Sequence, residues 1–159
     1  MRDATPTLAF VFREWRFLLF GALVMFWTSP GQTYLISLFA DEIRSDFGLG
    51  HGDLGSIYTG ATLVSAAILW PAGRLVDKLP LTNFVWWVCA AMALGAMAFS
   101  LVSGPLSLFF GILVVRFLGQ GMMSHIAITA MARRYVAERG RAIAIAGFGF
   151  PLVPGQADQ

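Results

Sequence analysis

Leu81 to Val102 reads LTNFVWWVCAAMALGAMAFSLV, 22 residues without one charged side chain. Crossing the hydrocarbon core of a bilayer takes about 20 apolar residues, so this stretch points to a membrane. It is apolar all round, whereas barrel strands alternate apolar and polar over ~10 residues. A segment in lipid must also satisfy its own backbone groups, which leaves a helix. The pattern recurs on both sides. Phe17–Ala40 is a run of 24, Leu54–Ala72 of 19, and Leu106–Ala130 of 25, interrupted only by Arg116. Ala142–Gly155 is 14 residues, too short to span by the same length rule.

The composition supports this reading. Of 159 residues, 57% are hydrophobic and 13% charged, about half the ~25% charge of soluble domains. That excludes an ordinary soluble domain, a disordered chain and a coiled coil. Cys89 is the single cysteine, which excludes a disulfide scaffold. The isoelectric point near 9.1 reflects a net charge of only +2, with no basic run long enough to follow a duplex, so nucleic acid is not expected as a partner. The expected fold is all-α: a polytopic transmembrane bundle of about four complete helices plus part of a fifth. The expected organisation is a tail over 1–16, spans near 17–40, 54–72, 81–102 and 106–130, a partial span over 142–155, and a tail over 156–159.

Charge placement predicts the orientation. Nine of the eleven Lys/Arg residues fall on the side of the N-terminus, in the tail and in the second and fourth connections. The first connection holds Arg44 alone, among Asp41, Glu42, Asp46 and Asp53, and the last base is Arg116. This bias places the N-terminus in the cytoplasm of a multi-pass protein of the plasma (inner) membrane. Trp15, Trp70, Trp86 and Trp87 fall near span ends, as an aromatic belt would. The first run exceeds the h-region of a signal peptide and lacks a small-x-small cleavage site, so it reads as a retained span.

The second connection is Gly73-Arg74-Leu75-Val76-Asp77-Lys78. In a continuing helix Gly73 and Asp77 share a face. Gly73 admits a close neighbour, and Asp77 suits an arginine or a helix N-terminus. The plain reading is a polar loop with one acid. This Gly-x-Leu-x-Asp-Lys stretch resembles the signature loop of the major facilitator superfamily, although Leu79-Pro80-Leu81-Thr82 stands where glycine and further bases usually follow. The fourth run carries a second match. Arg116-Phe117-Leu118-Gly119-Gln120-Gly121 is similar to the family's Arg-x-x-x-Gly-x-Gly, with the glycines one residue early. The third match spans Ala132 to Ala142, where Arg133, Arg134, Tyr135 and Arg139-Gly140 precede a small-residue segment. It is similar to the loop of monocarboxylate-type facilitators.

The resemblance implies a secondary transporter of a small organic solute working by alternating access between two six-helix halves. It implies that this chain is an N-terminal fragment, inactive alone and lacking the C-terminal half. It further implies a cytoplasmic gate formed by Gly73, Asp77, Lys78, Arg133 and Arg134. Physically, the four loop arginines, Arg133, Arg134, Arg139 and Arg141, either pair with Asp77 or Glu138 or serve as plain positive-inside anchors. Arg116 stands about 10 residues into its run, roughly 15 Å deep by helical rise. A charge at that depth reads either as a cavity cation for an anionic solute or as a tie to carbonyls or an acid of the bundle. Pro30 and Gly31 predict a break in the first span, where Gln32, Thr33 and Tyr34 offer hydrogen bonds. By analogy with the family, Gln32, Tyr34, Arg116 and Gln120 line the substrate cavity; the alternative is hydrogen bonding between helices. Gly119 and Gly121 suit close helix packing. The dipeptide Gly31-Gln32 is echoed by Gly119-Gln120, in helices that correspond in an inverted repeat.

His125 reads as a packing residue or a proton relay, and His51 as a loop residue. No nucleophile–base pair, metal-ligand cluster or phosphate loop is present in the sequence, so neither an enzyme nor a cofactor is expected. The expected partners are the lipid bilayer, the solute and the missing helices. A second hypothesis is a small membrane subunit or regulator acting by helix–helix association through glycine faces.

Overall fold

The computed structural model describes residues 7–78 and 80–150, apart from the side chains of 75–78. All regular structure among them is helical. The helices are α1 Thr7–Phe26, α2 Thr33–Leu38, α3 Ala40–Phe47, α4 His51–Lys78, α5 Leu81–Phe99, α6 Pro105–Val115, α7 Ser124–Arg134 and α8 Arg139–Gly147. A single 3₁₀ turn, Ser29–Gly31, stands between α1 and α2, and a π-helical segment, Arg116–Met123, joins α6 to α7. The all-α membrane bundle expected from the sequence is therefore the fold. Among the described residues, three helices are long and apolar enough to cross a membrane: His51–Arg74, Leu81–Phe99 and Pro105–Arg134.

Phe17–Ala40 is not one continuous helix. Backbone bonding tightens at its centre to Thr28 N–H···O=C Met25 at 3.1 Å and Gly31 N–H···O=C Thr28 at 3.0 Å. Thr28 and Ser29 turn their hydroxyls back onto the carbonyls of Met25 and Phe26. Pro30 has no N–H to offer the ladder, and these back-bonds occupy the carbonyls that a continuing helix would use. Gln32 is extended and restarts the chain as α2. The sharp turn between α3 and α4 uses Gly48 at φ +62°, where a side chain would be strained.

Three apolar clusters fill the bundle at successive levels. Phe10, Leu18, Met131, Tyr135, Ala142 and Ala146 join α1, α7 and α8 at one end. Val24, Met25, Val88, Met92, Met123 and Ile126 form the middle. Ile36, Leu54, Ala61, Leu108 and Ile112 hold α2, α4 and α6 at the other end. In lipid there is little hydrophobic drive between helices, so close contact and hydrogen bonds carry the association. Small residues permit that contact. A Cβ at Gly21 would meet Met131 at 2.7 Å and Ala146 at 3.1 Å, and one at Gly149 would strike the Ala22 carbonyl. Trp70, Trp86 and Trp87 point outward, each more than 70% exposed, as suits the surface of a membrane bundle.

Candidate functional site

The broken part of the first span packs against the π segment, and this contact builds the site. A Cβ at Gly119 would lie 3.0 Å from Gly31 N and 3.2 Å from Thr28 O. One at Gly31 would lie 2.6 Å from Gln120 N and would strike the Val115 carbonyl. The two Gly-Gln dipeptides thus meet backbone to backbone, which only glycine permits. Two glycines within three residues also weaken the α preference of the segment, and it adopts the wider π turn that recurs at functional positions. Gly121 faces Leu69 of α4, whose methyl a Cβ would meet at 3.0 Å.

Arg116 opens the π segment and is buried, at 8% exposure. Its Nη1 donates to the Gly31 carbonyl at 3.3 Å, to Thr33 Oγ1 at 3.3 Å, and to the Tyr58 hydroxyl. Tyr58 Oη and Thr33 Oγ1 lie 2.7 Å apart, and the guanidinium carbon lies 4.8 Å from the Tyr58 ring centre. Arg116 forms no ion pair among the described residues, and its Nε and Nη2 make no hydrogen bond there. Neutral dipoles therefore hold a full positive charge in place without cancelling it. A buried charge in that state is costly unless water or an anion joins it.

The other cavity candidates differ in placement. Gln32 is 5% exposed and donates through Nε2 to Thr28 Oγ1 at 3.2 Å, so its amide belongs to the helix break. Tyr34 is half-buried, and Gln120 is exposed beside Gly31. Tyr58 was missed by sequence reading. Its position in an apolar run gave no sign that it would meet an arginine 58 residues away. A cavity of about 310 Å³ opens beside it, between α2, α3 and α4, with Thr33, Ser37, Arg44, His51 and Tyr58 in its wall.

Of the gate residues, Gly73 lies in α4, and a Cβ there would meet nothing within 4 Å among the described residues. Asp77 and Lys78 close α4, but their side chains lie outside the described residues. Arg133 and Arg134 end α7 and are exposed. Arg134 turns to Glu14 of α1, Nη2 to Oε2 at 3.2 Å, a partner not among the acids expected for the loop arginines. Tyr135 Oη donates to the same carboxylate oxygen at 3.1 Å. The Arg134 hydrogen bond, then that of Tyr135, holds the Glu14 carboxyl below its ordinary value of 4.5. Glu138 faces Arg141 at 3.8 Å, as one of the loop arginines was expected to do, and Arg13 at 3.9 Å. The reason is positional: α1 packs alongside α7 and α8 and brings Glu14 to the end of α7. His125 is exposed. No group of His, Cys, Asp and Glu able to hold a metal exists among the described residues.

The family model of the Major Facilitator Superfamily matches residues 2–155. No curated protein and no solved structure matches the chain.

Proposed function

The chain belongs to the major facilitator superfamily, a family of membrane transporters, and from that premise we propose that it forms one wall of the transport path for a small organic anion. Arg116 is the anion's partner. The observation that carries this reading is the buried guanidinium with hydroxyl and carbonyl partners only, and with two of its nitrogens free of hydrogen bonds among the described residues. A carboxylate would supply both the missing charge and the planar pair of acceptors that arginine matches. The solute class is a small carboxylate, in keeping with the monocarboxylate-type loop at Ala132–Ala142.

The mechanism is alternating access, with this half and a second one rocking about a site near mid-membrane. This half supplies one wall and needs the second to complete the path. Thr33 and Gln120 support this: both are polar, exposed and beside the Arg116 centre, where bare lipid is a poor neighbour and a second wall or water is a good one. The N-terminus faces the cytoplasm, and Gly73, Asp77, Lys78, Arg133 and Arg134 belong to the gate on that side. The subunit reading draws less support, because Gly31, Gly119 and Gly121 are occupied inside the chain.

The test is to place the purified chain in lipid vesicles with radiolabelled pyruvate. Saturable binding without net flux is expected. Arg116→Lys keeps the charge but loses the planar fork, and should weaken binding at least about tenfold. Wild-type affinity in that variant removes Arg116 from the site, and flux through the chain alone refutes the one-wall reading.

A further inference from the structure

The first connection is acidic, with Asp41, Glu42, Asp46 and Asp53, and Arg44 is its one base. Arg44 lies on α3 with its side chain 23% exposed, and pairs with Asp41 through Nη1 alone, at 2.8 Å. Its Nε is closed off from solvent and has no hydrogen-bond partner among the described residues. An arginine serving only to neutralise a carboxylate has the fork geometry for two bonds; this one makes a single bond to an acid that is 91% exposed. A buried donor left unpaired costs free energy, so the side chain as it stands lacks an acceptor.

Arg44 also lines the cavity between α2, α3 and α4, together with its partner Asp41 and with Ser37, His51, Thr33 and Tyr58. Thr33 and Tyr58 are the two hydroxyl partners of Arg116. The shell that holds the buried arginine is therefore part of this cavity's wall, and Arg44 lines the same cavity. Its volume of about 310 Å³ corresponds to roughly ten water molecules at ~30 Å³ each, enough for a carboxylate of a few carbons.

We propose that this cavity is an outer docking station for a small carboxylate, with Arg44 as the capture residue and the Thr33–Tyr58 hydroxyl pair as the passage to Arg116. The inference rests on the reading of Arg116 as an anion site. The incoming carboxylate takes the place of Asp41 on the Arg44 guanidinium, accepts from Tyr58 or from Ser37, whose hydroxyl then leaves the Tyr34 carbonyl, and moves on to the second guanidinium. Two positive stations linked by hydroxyls let the anion leave one before it is held fully by the next. Asp41 acts as a competing ligand that is displaced on binding.

The experiment uses the full chain in nanodiscs. Unfolding is followed with a thiol-reactive dye at Cys89, the sole cysteine, which is partly buried. Sodium pyruvate is titrated at constant ionic strength, with pyruvamide as the uncharged control, and the half-saturating concentration for the shift in melting temperature is read. Arg44→Gln should raise that concentration about tenfold. Asp41→Asn should lower it about threefold, a gain that damage to the fold would not produce. Arg116→Gln should abolish the shift. Half-saturation within twofold of wild type in both Arg44→Gln and Asp41→Asn, with the Arg116→Gln effect intact, overturns the station and leaves the Arg116 site standing. The reverse pattern, loss in Arg44→Gln and full retention in Arg116→Gln, overturns the Arg116 site and makes the outer cavity the binding site. A wild-type shift no larger with pyruvate than with pyruvamide overturns both. If Arg44→Gln does not fold, absence of tightening in Asp41→Asn overturns the station.

Discussion

Replacing Gly31 with alanine tests the contact on which the Arg116 centre is built. The new Cβ would strike the Val115 carbonyl and sit 2.6 Å from the Gln120 backbone nitrogen, where ordinary contact begins at 3.4 Å, so the π segment and the end of α6 must retreat by at least about 0.8 Å. The obstructing atoms are backbone, so no side-chain rotation relieves the clash. Arg116 belongs to that segment, and two of its hydrogen bonds are already 3.3 Å long. A retreat of that size carries both beyond hydrogen-bonding range. Overpacking of this kind costs about 1–3 kcal/mol. For a chain of this length each kcal/mol lowers the melting temperature by roughly 2–4 °C, so a central value of about 2 kcal/mol lowers it by roughly 4–8 °C. The assay is thermal unfolding in nanodiscs followed at Cys89. Gly73→Ala is the control, since its Cβ meets nothing within 4 Å among the described residues and alanine favours a helix; its melting temperature should hold or rise. A Gly31→Ala chain that melts within 1 °C of wild type, by the ~2–4 °C scale above, refutes the backbone contact and the placement of Arg116 against it.

Two further outcomes follow from the same geometry. Tyr58→Phe keeps the ring under the guanidinium but removes the hydroxyl shared by Arg116 and Thr33. It should cost about 0.5–1.5 kcal/mol and weaken pyruvate binding, and an unchanged melting temperature together with unchanged affinity would show that the hydroxyl does not hold Arg116. The second concerns acid. The folded state lowers the Glu14 carboxyl below 4.5, so its stabilising contacts with Arg134 and Tyr135 are fully present above that value and are lost as the pH falls through the lowered one. Melting measured from pH 7 to pH 3 should show an acid-side decline that is smaller in Glu14→Gln. Superimposable profiles would remove Glu14 from the clamp between α1 and α7.

The kinds of element here were legible because a bilayer permits few. Four long apolar runs could only be helices, and Pro30 with Gly31 announced an interruption in the first. The site was legible in part. Arg116 stood out because a lone charge in an apolar run is conspicuous, but Tyr58 and Glu14 did not, since each looked ordinary until another helix lay beside it. Gln32 was legible as a hydrogen-bonding residue of the break, and its amide nitrogen bonds Thr28 within the same turn. The π segment left no clear mark beyond the glycines at 119 and 121.

By itself, the amino-acid sequence determined that the chain is a helical membrane protein, which end gathers the positive charge, and that one guanidinium lies deep in the bundle. These follow from local quantities: run length, loop charge, and the missing N–H of proline. Only the tertiary structure decided who answers that guanidinium, that Glu14 of α1 takes Arg134, and that Arg44 shares a cavity with the partners of Arg116. A helix that is apolar around its whole circumference carries little information about which face turns inward. Its rotation and register are set by small contacts with other helices, such as glycine against glycine at 31 and 119, and a shift of one residue there would give every polar group a different partner.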